Sequence, residues 1–137
     1  MRVLVIGSGG REAAIGWACR RHGHEVRVLP DLPDPVDADL VIVGPESALV
    51  AGVADRCLDA HVSCFGPTAA LAKLEGSKGF TRTLASRLGL PSPAFHLSSS
   101  ADEAIEWWRA LGKPVVVKLD GLAAGKGVIV PNGDDET

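Results

Sequence analysis

Lys118 and Lys126 bracket a run of small residues within "KPVVVKLDGLAAGKGVIV", residues Lys113 to Val130. Two ammonium groups around backbone that carries little side chain suit an anion, because accessible N–H dipoles and positive charge both face it. A Walker-type phosphate loop has four residues between its glycine and a Gly-Lys-Ser/Thr that opens a helix. Here three residues separate Gly121 from Gly125, and Gly127 follows Lys126. The flanks, Val115 to Val117 and Val128 to Val130, are β-branched, which predicts a hairpin with no helix end to offer. Phosphate would then be held by the N–H groups of Gly121, Ala123, Ala124 and Gly125 with the ammonium groups of Lys118 and Lys126. Such a loop is expected to be mobile and to close over its ligand.

Two further glycine turns follow apolar runs. Val3 to Ile6 leads into Gly7-Ser8-Gly9-Gly10, and Leu40 to Val43 leads into Gly44-Pro45-Glu46. Continuous apolar runs of this kind belong to strands buried on both faces. A helix is expected after the first turn, with Ala14, Ile15, Ala18 and Cys19 at helical spacing and a stop at Gly23. "HEVRVL" reads as a second strand. The segment from Pro30 to Asp39, with prolines at 30, 33 and 35, reads as a tight surface connection without a helix. After the third strand, Leu49, Val50, Val53, Ala54, Cys57 and Leu58 mark one helical face, and "HVSCF" is a further strand. The order strand, glycine turn, helix, strand predicts a parallel α/β sheet with ligands at the carboxyl ends of its strands. Both glycine turns should therefore face one crevice.

From Gly66 to Pro93 the pattern is helical, with Phe80, Leu84 and Leu88 one turn apart and an end at Gly89 and Pro91. Ser100 and Glu103 form a capping box for a helix with Ile105, Trp108 and Leu111 on one face, ended by Gly112 and Pro114. Trp17 and Trp108 are assigned to packing, since of two adjacent residues such as Trp107 and Trp108 only one faces a core. The final hairpin is not stable without more sheet to join, so a second domain begins here and is unfinished.

With 137 residues, 46% hydrophobic and 23% charged, the chain has the composition of a soluble globular protein. A net charge of -3 with scattered lysines and arginines gives no reason to expect nucleic acid or an anionic membrane as partner. Cys19, Cys57 and Cys64 are an odd number at wide spacing inside apolar runs, which suits small core residues in a reducing compartment. The amino terminus lacks a signal-peptide cleavage region, so the expected location is cytoplasmic. His22 and His24 flank a helix end, while His61 and His96 stand apart from any carboxylate or cysteine pattern. No metal ligand is assigned.

"RVLVIGSGGRE", "VIVGPESALVAGVAD", "FGPTAALAKLEGSK" and "VVVKLDGLAAGKGV" together resemble the successive motifs of the phosphoribosylamine-glycine ligase (glycinamide ribonucleotide synthetase) family. Four motifs in the right order cover almost the whole chain. The resemblance implies a small parallel Rossmann-like (pre-ATP-grasp) sheet over residues 1–74, then over 75–137 a linker helix and the first part of an ATP-grasp nucleotide-binding domain. It implies an ATP-dependent joining of glycine to phosphoribosylamine through an acyl phosphate in purine biosynthesis. Lys78 and Lys118 would touch nucleotide phosphate, and Gly121, Ala123, Ala124, Gly125, Lys126 and Gly127 would form the flap over it. On pattern alone Lys78 is an exposed helix lysine and Lys126 a flap residue open to solvent. Gly9, Gly10, Gly44, Pro45 and Glu46 would line the side that takes the ribose phosphate and amine.

Three departures qualify that implication. Ala13 stands where the family usually has a histidine. The link Pro30 to Asp39 replaces a longer stretch with a helix and a strand, and a parallel crossover normally takes a dozen residues or more, so the sheet should be smaller or reconnected. The chain given ends at Thr137, before the expected magnesium ligands and most of the adenine pocket, and the expectation is that it does not catalyse the ligation alone. Two other classes stay open. One is a nucleotide or sugar-phosphate binding remnant that associates with a partner chain through the unfinished second domain. The other is a small dinucleotide-binding module, whose fingerprint would need a glycine where Glu12 stands.

Overall fold

The structure, a computed structural model, describes residues 1–123 and 125–130. It divides into two compact units, residues 1–76 and 77–137.

The first unit is a four-stranded parallel sheet in the order β2-β1-β3-β4, formed by β1 (Arg2–Ile6), β2 (Glu25–Leu29), β3 (Leu40–Val43) and β4 (Ser63–Phe65). Val3, Leu4, Val5 and Ile6 are all buried, as a central strand covered on both faces requires. Leu4 and Ile6 pair with Val41 and Val43 and share a core with Val53 and Cys57 of helix α3 (Val53–Asp59). On the other face α1 (Gly10–Arg21) crosses β2 at Gly16, where an added Cβ would lie 3.0 Å from Val28. The sheet is doubly wound, as the sequence order predicts.

Several details differ from the sequence reading. The buried residues of α1 are Glu12 and Gly16, with Ile15 and Cys19 half-buried, while Ala14 and Ala18 face solvent. Trp17 is exposed rather than packed, with the Arg21 guanidinium 4.8 Å from its ring centre. The single helix expected after Gly44 is two, α2 (Glu46–Val50) and α3, because Gly52 takes a left-handed conformation between them. Val50 and Leu58 consequently turn outward. The connection 30–39 makes its parallel crossover from β2 over β1 to β3 without a helix, and it is not merely a surface link. Leu32 and Ala38 are buried in the α3-side core, standing in for a helix's apolar face.

The crossover is pinned where it enters β3. The Asp39 carboxylate accepts from the Arg2 amide at 2.7 Å and from the Arg2 guanidinium at 2.8 Å, and Asp37 accepts from the same guanidinium. In return the Asp39 amide donates to the Arg2 carbonyl.

Helix α4 (Ala69–Gly76) completes the first unit, its end packed so closely on Val50 that a Cβ at Gly76 would lie 2.8 Å away. In the second unit α5 (Lys78–Arg87) begins anew at Ser77, whose hydroxyl caps the Phe80 amide. The helical stretch read as continuous is thus broken, and Phe80 and Leu88 are exposed while Leu84 is half-buried. α6 (Ala101–Leu111) is capped by Ser100, but Glu103 reaches back to the amide and hydroxyl of Ser99, not to Ser100, so the reciprocal box is not closed. Ile105 and Leu111 are exposed, and Trp107 stacks on His96 at 5.0 Å. His96 is not isolated from carboxylates, since Glu103 lies 3.6 Å from its Nε2. The hairpin is present as β5 (Val117–Lys118) and β6 (Val128–Ile129), antiparallel but only two residues long on each arm.

The Arg2 hydrogen bonds hold the Asp39 carboxyl below its ordinary range. A lowered folded value means that this contribution to stability is present above the unfolded pKa near ~3.9 and is lost as pH falls through the folded value. Asp39→Asn is therefore expected to lower the urea midpoint at pH 7, and its difference from the parent chain should shrink as pH falls through the folded value, which urea melts at pH 7 and along an acid series would check.

Candidate functional site

In the first unit the sheet brings the two glycine turns together. Gly7 donates to the Leu29 carbonyl at 2.8 Å and Gly44 to the Ile6 carbonyl at 3.0 Å, so the ladders on either side of β1 continue into the turns. Connections leave β1 and β3 toward opposite sides, which is the switch point where open α/β sheets form a crevice. Gly9, Gly10, Gly44, Pro45 and Glu46 all sit at this end.

Glu12, which sequence reasoning treated only as a missing glycine, fills the crevice floor. Its side chain is buried, the one buried charged residue among those described. Oε2 accepts from the Gly9 amide at 2.7 Å, and Oε1 accepts from Arg11 Nε at 2.8 Å. Cβ atoms added at Gly7 or Gly44 would fall 2.6 Å from its Cγ or 2.0 Å from its Oε1. The Glu12 side chain thus takes up the space between those two glycines, at the position where the dinucleotide fingerprint would have its third glycine. Arg11 first, then the Gly9 amide, holds the Glu12 carboxyl below its ordinary value, so it stays ionised. Arg11 also approaches Glu46 at 3.7 Å, and Gly9 and Gly10 remain exposed at the mouth. The only local signal for Glu12 was its place three residues into a helix after a glycine cap.

In the second unit the glycine-rich loop is tied down at its base. The Asp120 carboxylate accepts from the Lys78 amide at 2.6 Å, the Gly79 amide at 3.2 Å and the Ser77 hydroxyl at 3.0 Å. The Lys78 ammonium donates to the Gly121 carbonyl at 2.8 Å. Lys78 is therefore half-buried and engaged, not a solvated helix lysine. The sequence offered this loop no helix end. The structure supplies one, the start of α5, but its first amides are taken by Asp120. Nothing near Asp120 in sequence announces this, because its partners lie more than forty residues earlier.

Lys118 and Lys126 are exposed. Gly121 and Gly125 have φ of 94° and 77°, and the turn closes through Lys126 donating to Ala123 and Leu119 donating to Gly127. Gly127 faces Leu119 and Ala123 too closely to admit a Cβ. Ala124, named with the flap, lies outside the described residues. Among the described residues no group of three or more His, Cys, Asp or Glu could hold a metal ion, and no helix is long and apolar enough to cross a membrane. Cys57 and Cys64 are free thiols, with burial pushing Cys64 up to about 12, as expected of packing residues rather than ligands.

Residues 25–75 match the family described as "Phosphoribosylglycinamide synthetase, N domain", and residues 76–137 match "Phosphoribosylglycinamide synthetase, ATP-grasp (A) domain". A phosphoribosylamine–glycine ligase of Rhizobium meliloti is 42% identical over 161 residues, covering 99% of this chain and 38% of that protein. That alignment is at least 24 residues longer than this chain, in keeping with a shortened connection such as 30–39. The crystal structure of phosphoribosylamine–glycine ligase from Thermotoga maritima superposes with a TM-score of 0.80 at 29% identity, over 97% of this chain and 36% of that one. A RimK-domain ATP-grasp protein from Sphaerobacter thermophilus shares the fold, with a TM-score of 0.74 at 19% identity over 96% of this chain and 56% of that one. This chain thus spans less than two fifths of the length of the ligases it matches.

Gly44→Ala is expected to drive Glu12 from its pocket and to destabilise the chain by about 1–3 kcal/mol, the usual cost of overpacking. In Gly44→Ala/Glu12→Ala the clash is gone, so urea melts of the two single variants and the double variant should show less than additive losses.

Matched in their natural order along one polypeptide, these two domains and the ligases around them show that the chain belongs to the phosphoribosylglycinamide synthetase family.

Proposed function

We propose that this chain forms the substrate side and the first phosphate-facing part of an ATP-dependent ligase that joins glycine to phosphoribosylamine. In such a reaction the glycine carboxylate takes the terminal phosphoryl group of ATP, and the amine then attacks the acyl phosphate and releases phosphate. Carboxylate and triphosphate repel one another, so the protein's task is to surround the transferring group with cations and N–H dipoles. The proposed division is residues 1–74 for the substrate domain and 75–137 for the nucleotide domain. A cytoplasmic setting goes with this reading.

The observation that carries it is the glycine-rich hairpin loop, with exposed Lys118 and Lys126 and a base fixed by Lys78 and Asp120. In this reading Lys78, Lys118 and Lys126 supply positive charge, while Gly121, Ala123, Ala124, Gly125 and Gly127 let the backbone approach phosphate. Gly9 and Gly10 stand open at the crevice mouth for the ribose phosphate, and Pro45 and Glu46 form its opposite lip. Gly44, at the same end, also makes room for the Glu12 side chain. Among the described residues no group of three or more His, Cys, Asp or Glu could hold a magnesium ion, and in this reading its protein ligands belong to the part of the relatives that this chain does not span.

Val117, Leu119, Val128 and Ile129 leave an exposed apolar surface on the hairpin, which favours a second reading in which a further polypeptide strand pairs with β5 or β6. Binding of a hydrophobic dye that is lost on self-association would support it.

Isothermal titration of the 137-residue chain with ATP and magnesium tests the main reading. Micromolar binding weakened about tenfold or more by Lys118→Ala is expected, since a charge-assisted hydrogen bond to phosphate is worth about 1.5–3 kcal/mol. Equal binding by parent and variant would remove Lys118 from the site.

A further inference from the structure

We propose that Asp120 is the residue that positions Lys78 and the first turn of the glycine-rich loop for nucleotide phosphate. The inference rests on the nucleotide reading above and adds to it a residue whose role is neither cationic nor flexible.

Asp120 sits where a strand ends and a glycine turn begins, with Gly121 at a left-handed φ immediately after it. Its two oxygens collect three donors from Ser77, Lys78 and Gly79, and Lys78 returns a bond to Gly121. The four bonds form a closed reciprocal clasp between the start of α5 and the base of the loop. Gly79 is packed closely against Leu97, from which a Cβ there would lie 2.9 Å, while Asp120 Oδ2 would be 3.4 Å away. Donation from the Gly79 amide, the largest influence, and from Ser77 holds the Asp120 carboxyl below its ordinary range, so the clasp is charged at neutral pH.

Two consequences follow for a phosphate. The start of α5 is where an anion would otherwise settle, because free amides and the helix dipole favour negative charge there. Asp120 already occupies its first amides, so the helix end is closed to ligand and phosphate is directed to the ammonium groups. Lys78 meanwhile rests on a neutral carbonyl, a weaker acceptor than a phosphate oxygen. It is held in place yet able to exchange its partner. Without Asp120 the long Lys78 side chain would lose that placement, and binding would have to supply the ordering.

The test uses the 137-residue chain with Asp120→Ala and Asp120→Asn. Three readouts are taken: ATP affinity by titration, the acetic anhydride labelling rate of Lys78 relative to exposed Lys73, and the urea midpoint. Asp120→Ala is expected to raise relative labelling of Lys78 about tenfold and to weaken ATP binding about tenfold, the scale of one charged hydrogen bond. Asp120→Asn keeps an acceptor oxygen for the Lys78 and Gly79 amides and should stay within about threefold of the parent chain on both. Should Asp120→Ala lose its urea transition, Asp120→Glu replaces it with the same expectation, since the charge is kept but displaced by a methylene. Unchanged Lys78 labelling overturns the proposal whether or not ATP binds. Raised labelling with unaltered ATP affinity overturns it as well, because the clasp would then exist without positioning anything for phosphate. If the parent chain binds no ATP, the nucleotide reading falls and labelling alone decides: a rise upholds the clasp's hold on Lys78, and no rise removes it.

Discussion

A parallel strand flanked on both sides has to release its neighbours somewhere, and β1 does so at Gly7. Everything in the first unit depends on that strand: Leu4 and Ile6 anchor one face, Val3 and Val5 the other, and β2 and β3 are aligned by pairing with it. Because the chain leaves β1 and β3 toward opposite sides, the backbone opens at their carboxyl ends. An opening lined by amides and glycines in a buried setting must be filled by something polar or remain costly. Glu12 fills it from the first turn of α1, satisfies the Gly9 amide, and presents Arg11 at the surface.

The second unit uses the same device on a different scaffold. There too a carboxylate lies against backbone amides beside a left-handed glycine, and there too a lysine or arginine completes the arrangement. A carboxylate with several N–H donors is a rigid joint, since each bond is charge-assisted and the group has few rotamers. Glu12 fixes a turn within three residues. Asp120 fixes a loop to a helix across the unit. In both places the fixed carboxylate determines where further negative charge can go, leaving exposed glycines and lysines as the places for a ligand.

The helix-free crossover between β2 and β3 shows how little a parallel sheet needs to keep its order. Leu32 and Ala38 supply the apolar cover that a helix would have given, and the Arg2–Asp39 clasp sets the point of entry. The order β2-β1-β3-β4 survives because β1 pairs with β3 through four registered residue pairs regardless of how the chain arrives.

The sequence by itself determined the strands of the first unit, the parallel order, the two glycine turns at one sheet end, the hairpin around the glycine-rich loop and the family. These are properties of local runs: apolar stretches of strand length, glycines where φ must be positive, and motifs that are contiguous. Only the tertiary structure decided which face of α1 is buried, that the helix after Gly44 breaks at Gly52, and that Trp17 is outside while Leu32 is inside. Each depends on what packs opposite, and apolar spacing leaves that open. The same reason hid the roles of Glu12 and Asp120. A carboxylate in a sequence looks solvated until the amides that donate to it are known, and those of Asp120 are brought to it by the fold from the start of α5.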